Sequence, residues 1–326
     1  MKIYDEVKNA ASIAVSGHVN PDGDAAGATA AMYLFLKKAV PGAKIVAFCG
    51  EMGDTLRENL PAAEEFCFDG ITDVEKFDVF ICLDTADDRL GAAQKYFHTA
   101  RKTVNIDHHR TNTGCGDVNY IVPTASSTCE LVYNVIDDSL IDEPIARALY
   151  IGIITDTGVF KYSNTSPRTM EIAGCLMSHG VDTSTLIDDV FYRKSYLENQ
   201  ILGRALLESV LFRDGTCIFS VLNRQTMDFY GVGPKNMEGI VSQLMLTEGV
   251  KCAIFMYETE PLTYKVSMRS NGEINVADIA AFYGGGGHSR AAGCTVNATY
   301  RDIINNISDS IDIQMRRSGE TAGARS

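Results

Sequence analysis

Four clusters hold the side chains best suited to bind cations. In SGHVNPDGDAAG (16–27), Pro21 keeps Asn20 extended and Gly23 allows a sharp turn, so Asp22 and Asp24 sit in a turn entering a helix and can face the same point as His18. Turn chemistry alone, with Asp24 as the helix N-cap, is the competing explanation. An EF-hand is excluded, because Ala26 stands where a ligand should be and no Glu closes the loop. In ICLDTADDRLG (81–91) an apolar strand ends at Asp84, where a carboxylate is costly unless paired or bound to metal. Asp87 and Asp88 read as solvated groups or partners of Arg89. VNIDHHRTN (104–112) ends another strand in Asp107, His108 and His109, and an acid beside a ligand histidine commonly orients its ring. In IGIITDTGVFKYSNTSPRT (151–169) a hydrophobic helix ends at Asp156, against its own dipole, a cost that a cation would offset. Asp22, Asp24, Asp84 and Asp156 with His18 and His108 make an oxygen-rich set that suits Mn2+ or Mg2+ better than structural zinc. Four negative charges balance two divalent ions, the arrangement that splits phosphate esters by activating water and stabilising developing charge.

A fifth cluster, YGGGGHSRAAG (283–293), sets His288 and Arg290 behind four glycines whose backbone N–H groups can cradle an anion; a flexible turn is the plain alternative. Arg269, in KVSMRSNG, ends a strand of the same region and by itself reads as a solvated surface residue.

These residues need a scaffold that brings strand ends together. Segments 12–16, 44–48, 79–83 and 103–106 read as strands, alternating with helical patterns at 24–38, 91–99, 127–138, 144–155 and 168–179. The alternation predicts an α/β domain over 1–190, with a mainly parallel sheet flanked by helices and an active site at the carboxyl ends of its strands. Residues 183–210 read as two helices, the second a linker helix within 191–210. A smaller α+β domain follows over 211–315, with strands near 216–222, 252–258 and 262–269 and helices near 236–247, 275–282 and 299–315. The remainder, 316–326, reads as a polar, frayed tail.

The length of 326 residues suits two domains, and 45% hydrophobic with 22% charged residues excludes a collagen, a mucin or a wholly disordered chain. No apolar run is long enough for a membrane span, and the acidic start reads as no signal peptide. Nine cysteines without a C-x-x-C read as small reduced core residues, which predicts a cytoplasmic protein without disulfides or a zinc ribbon. The net charge is −13, and all the excess acid lies in residues 1–190, with 15 Lys and Arg against 28 Asp and Glu; the rest holds 14 of each. That balance argues against binding long DNA or RNA through a basic surface. His98 and His179 fall at helix ends, where a cation suits the dipole, and are assigned no chemistry.

In this order, HVNPDGDA, LDTADDRLG, DHHRTN, the Asp156 segment and GGGGHSRAAG resemble the DHH phosphoesterase superfamily with its DHHA1 C-terminal domain, over residues 10–300. The likeness is nearest to the stand-alone bacterial nano-RNase/pAp phosphatase type. One departure is Ala28-Thr29, where Gly-Ser is often found. The resemblance implies one Mn2+ held by His18, Asp22 and Asp84, and a second held by Asp24, Asp84 as bridge, His108 and Asp156, with Mg2+ or Co2+ as substitutes. Asp84, Asp107 and His109 would be catalytic, Asp107 orienting and His109 reaching the scissile phosphate. Arg269, Ser270, Gly286, Gly287 and His288 would hold the substrate's other phosphate.

The activity so implied is hydrolysis of very short single-stranded oligoribonucleotides, two to five residues long, to mononucleotides. With it goes dephosphorylation of pAp (3′-phosphoadenosine 5′-phosphate) to AMP. Neither long duplex nucleic acid nor a membrane is an expected partner, and a homodimer is the expected assembly. Three alternatives stand beside this reading. A cyclic-dinucleotide or pApA phosphodiesterase has the same catalytic parts. A family II pyrophosphatase shares the N-terminal motifs but has another basic motif in place of GGGGH. A nucleotide-binding module with a dead site would have no need of every ligand.

Overall fold

The computed structural model describes the backbone of residues 1–323 and side chains through Arg316. The chain divides into two compact units, one of Met1–Arg193 and one from Lys194 onward.

In the first unit, β1 (Ser12–Ser16), β2 (Lys44–Phe48), β3 (Val79–Leu83), β4 (Lys102–Asp107) and β5 (Val118–Ile121) form one sheet in the order β2-β1-β3-β4-β5. Every pairing is parallel. β3, VFICL, is apolar throughout because both its faces are covered, and all five residues are buried. The strand order reverses between β1 and β3, the switch point beyond which open α/β sheets bind ligands. β5 has no counterpart in the sequence reading: it is only four residues long, with Val118, Tyr120 and Ile121 half-buried and Asn119 exposed.

Two helices, Gly23–Ala39 and Glu143–Asp156, pack at backbone distance. A methyl group at Gly27 would stand 2.4 Å from the Ala148 carbonyl oxygen, and one at Gly152 would stand 2.2 Å from Cys129 Sγ and 2.8 Å from Asp24 Oδ1. This close approach brings the start of one helix against the end of the other, which sets Asp24 near Asp156.

In the second unit, β6 (Val210–Phe212), β7 (Cys217–Leu222), β8 (Cys252–Glu260), β9 (Thr263–Ser270), β10 (Gly286–His288) and β11 (Ala291–Asn297) lie in the order β10-β11-β9-β8-β7-β6. Helices cover both faces. Ile279, Ile303, Ile307 and Ile311 pack with Ile254, Val266 and Met268, whereas Ile201, Ala205 and Leu244 pack with Ala253 and Phe255 on the other side.

Three expectations change. The linker helix is Tyr196–Leu207, begun by a Ser195–Glu198 capping box, and its buried Ile201 and Ala205 make it part of the second unit's core. The final helix runs from Tyr300 to Gly323, so the frayed tail expected from Arg316 is helical through Gly323, with no proline in RRSGETAG to stop it. Gly286–His288, expected within an anion-cradling loop with a flexible turn as the alternative, form an edge strand paired with β11.

Candidate metal centre and substrate pocket

The ends of β1, β3 and β4, adjacent and parallel, deliver His18, Asp84 and Asp107 with His108 and His109 to one edge of the sheet. Asp22, not Asp24, is the N-cap of the helix Gly23–Ala39: its Oδ1 accepts from the amides of Asp24 and Ala25, both at 3.1 Å. Asp24 is fully buried, and its carboxylate accepts from the amides of Thr128 (2.6 Å) and Cys129 (2.8 Å). These are the first amides of the helix Thr128–Val135, so a helix N-terminus holds the charge. Asp84 has a left-handed backbone, φ 59°, unusual for a residue other than glycine, and its Oδ1 accepts from Thr128 Oγ1 at 2.9 Å.

Around Asp84 the groups converge. Its Oδ2 lies 3.6 Å from His18 Nε2, and its Oδ1 lies 3.5 Å from His108 Nε2 and 3.6 Å from His109 Nδ1. His108 Nε2 also lies 3.1 Å from Asp156 Oδ2 and 3.8 Å from Asp24 Oδ2. His109 Nδ1 meets Asp107 Oδ1 at 2.7 Å. His18, Asp22 and Asp84 form one group whose ligand atoms lie within 4.8 Å of one another, and Asp24, His108 and Asp156 form a second.

The electrostatics are those of a site short of positive charge. Burial, then repulsion from Asp24 and Asp22, holds the Asp84 carboxyl well above its usual range. Burial and the nearby Asp156 raise Asp24 to about 7. Burial disfavours a charged His108, but the hydrogen bond with Asp156 and the charge of Asp24 outweigh it and raise the ring to about 9. His18 is lowered, chiefly by burial. The hydrogen bond to Asp107 raises His109. Burial opposes the charge on Asp107, yet its hydrogen bonds with His109 and Asn112 keep it below the ordinary value. Crowded carboxylates that resist ionisation, interleaved with imidazoles, fit a pair of divalent cations: the cations would supply the missing charge, and the donor set suits Mn2+ or Mg2+.

The second unit has a cavity of about 510 Å3, lined among others by Lys235, Glu238, Tyr257, Ser267, Arg269 and Gly286. Its floor is the sheet. Register puts Arg269 opposite Ala253 and Ala291, and His288 opposite Ala291, so Arg269 and His288 share a face. No atom would meet a methyl group at Gly286 within 4 Å, so its backbone is open to a ligand.

Residues 12–153 match the DHH family, N-terminal domain, and residues 215–313 match the DHHA1 domain. Over 303 residues the chain is 30% identical to the bifunctional oligoribonuclease and PAP phosphatase NrnA of Thermus thermophilus, covering 91% of this chain and 88% of that one. The chain belongs to the DHH family. It is a hydrolase of that family. The DHH fold is shared with a solved exopolyphosphatase-related protein from Bacteroides fragilis, at a TM-score of 0.84 and 24% identity, with 95% of each chain covered. The cyclic-di-AMP phosphodiesterase GdpP of Bacillus subtilis is 27% identical over 86% of this chain, but this match spans only 44% of GdpP.

Within the DHH unit the structure gathers His18, Asp22, Asp24, Asp84, Asp107, His108, His109 and Asp156 at one place. Asp87 meets His98, their Oδ2 and Nε2 3.5 Å apart. The DHHA1 unit divides the expected phosphate-binding set. Arg269 and Gly286 line the cavity, with His288 on their face. Ser270 stands on the opposite side of β9, buried, its Oγ accepting from the Gly272 amide at 3.0 Å. Alternation along the strand makes Ser267 the serine that shares the face of Arg269. A methyl at Gly287 would stand 2.4 Å from the Ala291 carbonyl oxygen, so this glycine admits the close pairing of β10 with β11.

Sequence reading misses Thr128, Asn105, Asn112, Lys235, Tyr257 and Ser267. Two of them have a local signal: Ser127 with Glu130 three residues on is the signature of a helix start beside Thr128, with Ser127 the observed N-cap, and Ser267 lies two residues before Arg269 on one strand, hence on its face.

Proposed function

We propose that this hydrolase is a metal-dependent phosphoesterase that degrades very short oligoribonucleotides to mononucleotides and dephosphorylates pAp to AMP. The observation that carries the reading is Asp84, set between His18 with Asp22 on one side and His108 with Asp24 and Asp156 on the other. His18, Asp22 and Asp84 would hold one cation, and Asp24, Asp84, His108 and Asp156 the second. When bound, such cations supply Lewis acidity at the scissile phosphate and make water a better nucleophile at neutral pH.

The protein's own groups do the rest. Asp107 takes the Nδ1–H of His109 and leaves Nε2 to donate to a phosphoryl oxygen; the raised pKa of His109 keeps that proton available. Arg269 and Lys235 supply positive charge for a second phosphate, and Tyr257 supplies an aromatic face for a base. A 5′-phosphate held there makes pAp and a 5′-phosphorylated dinucleotide equivalent, since in both the reacting phosphorus is the one on the 3′ oxygen. The acid-rich first unit disfavours long nucleic acid. Among the described residues, no helix is long and apolar enough to cross a membrane.

The likeness to GdpP favours a second reading, cleavage of cyclic dinucleotides or of pApA. The deciding experiment incubates the protein with Mn2+ and, in parallel, 5′-pApA, pAp, cyclic di-AMP and pyrophosphate, and identifies the products by chromatography. AMP from both pApA and pAp is the expected result. Turnover of the cyclic dinucleotide alone would transfer the protein to the second reading, and turnover of pyrophosphate alone would overturn both.

A further inference from the structure

Beneath the metal centre lies a network of two side-chain amides, the half-buried Asn112 and the buried Asn105. Asn112 Nδ2 donates to Asp107 Oδ2 (2.6 Å), to Asn105 Oδ1 (3.0 Å) and to the Thr85 carbonyl oxygen (3.2 Å). Its Oδ1 accepts from the Gly114 amide at 2.8 Å. The amide orientation is determined by its surroundings, because three acceptors face the nitrogen and one donor faces the oxygen. Asn105, fully buried on β4, donates to the same Thr85 carbonyl (2.9 Å) and to the Cys82 carbonyl (3.3 Å).

Two side-chain amides thus grip the Thr85–Ala86 peptide through the Thr85 carbonyl, one residue beyond Asp84, whose left-handed backbone is unfavourable for an L-amino acid. Asn112 simultaneously occupies Asp107 Oδ2, which leaves Oδ1 to take both the backbone amide (3.1 Å) and the ring nitrogen (2.7 Å) of His109. We propose that Asn112 is a positioning residue that couples the placement of the Asp84 carboxylate to the orientation of the His109 ring. The coupling needs a side chain with two N–H donors and one acceptor in this position. Aspartate, of the same shape, would lose the donors and face the Asp107 carboxylate with a like charge.

This inference rests on the metal-centre reading above, and its test is independent of the substrate. Mn2+ affinity of N112A and N112D is measured by titration calorimetry, with kcat and KM on a substrate of the wild type and thermal melting alongside. We expect Mn2+ affinity to fall by about 10–100-fold, the usual effect of removing a group that orients metal ligands. Turnover, kcat, should fall by a comparable factor while KM moves by less than about threefold, with N112D worse than N112A. In an H109A background the kcat effect of N112A should shrink, because it acts through that ring, whereas the loss of Mn2+ affinity, which acts through Asp84, should persist. A lowered melting temperature with Mn2+ affinity and kcat unchanged would reduce Asn112 to a structural residue and overturn the proposal. If the wild type binds Mn2+ but hydrolyses no phosphate ester, the functional reading fails while calorimetry still decides the role of Asn112.

Discussion

His109 Nδ1 lies 2.7 Å from Asp107 Oδ1, two residues earlier in the chain, and the same carboxylate oxygen accepts from the His109 backbone amide at 3.1 Å. One buried acid thereby sets the backbone, the ring orientation and the tautomer of the histidine that follows the strand. Replacing Asp107 with Asn keeps the shape and removes the charge. D107N should therefore bind substrate with a KM close to that of the wild type and lose turnover by ~10²-fold or more, as expected when a hydrogen-bond donor to the reacting phosphoryl group is left misoriented. Steady-state kinetics checks this, and an unchanged kcat would show that His109 acts without Asp107.

Asp84 resists ionisation because it is buried among other carboxylates. Asparagine tolerates the left-handed backbone at this position, whereas alanine would add strain. D84N is expected to raise the melting temperature of the metal-free protein, by ~2–4 °C for each kcal/mol of relieved repulsion, and to abolish both turnover and the stabilisation by Mn2+. Melting curves with EDTA and with Mn2+ read both effects. A wild-type-like gain from Mn2+ in D84N would remove Asp84 from the ligand set.

Stability of the metal-free protein should fall as pH rises from 6 to 9. Asp24 is raised to about 7 and His108 to about 9, so over this range the folded protein holds protons that the unfolded chain has released. The contribution of His108 is full below its unfolded value of 6.5 and is lost as pH passes 9; Asp24 loses its protonated-state advantage by about pH 7. His18, which is lowered, works in the opposite direction and reduces the effect without reversing it. Melting in EDTA should therefore drop by roughly 5 °C between pH 6 and 9, and Mn2+ should reverse the trend because cations replace the protons. A flat profile in EDTA would show that these groups are not so placed in solution.

The two faces of β9 separate two serines. S267A should raise KM for pAp by about 10–100-fold, the worth of one hydrogen bond to a charged group, and R269A by more. S270A should leave KM unchanged and act, if at all, on thermal stability through the lost Gly272 contact. A KM effect confined to S270A would place the phosphate on the other side of the strand.

Much of this protein is determined locally. Apolar, β-branched runs become β1 to β4 because each strand's pattern is complete in five or six residues. Acids and histidines at the strand ends identify the candidate site by type and position. What the tertiary structure decides are phases and partners. Asp22 rather than Asp24 caps its helix because Thr128 and Cys129, more than 100 residues away, claim the Asp24 carboxylate. Alternation along β9 sets Ser267 with Arg269, but which of the strand's two faces lines the cavity is selected only by burial of Val266 and Met268 on the other. Four consecutive glycines carry no side-chain pattern, so the edge strand they begin depends on β11 for its existence. Asn112, polar and in a loop, looks like any turn residue until folding places Asp107, Asn105 and the Thr85 carbonyl around its amide. Sequence can specify residue type and local conformation through short-range sterics and hydrophobic period. Hydrogen-bond partners drawn from distant segments exist only once the core has aligned the strands that carry them.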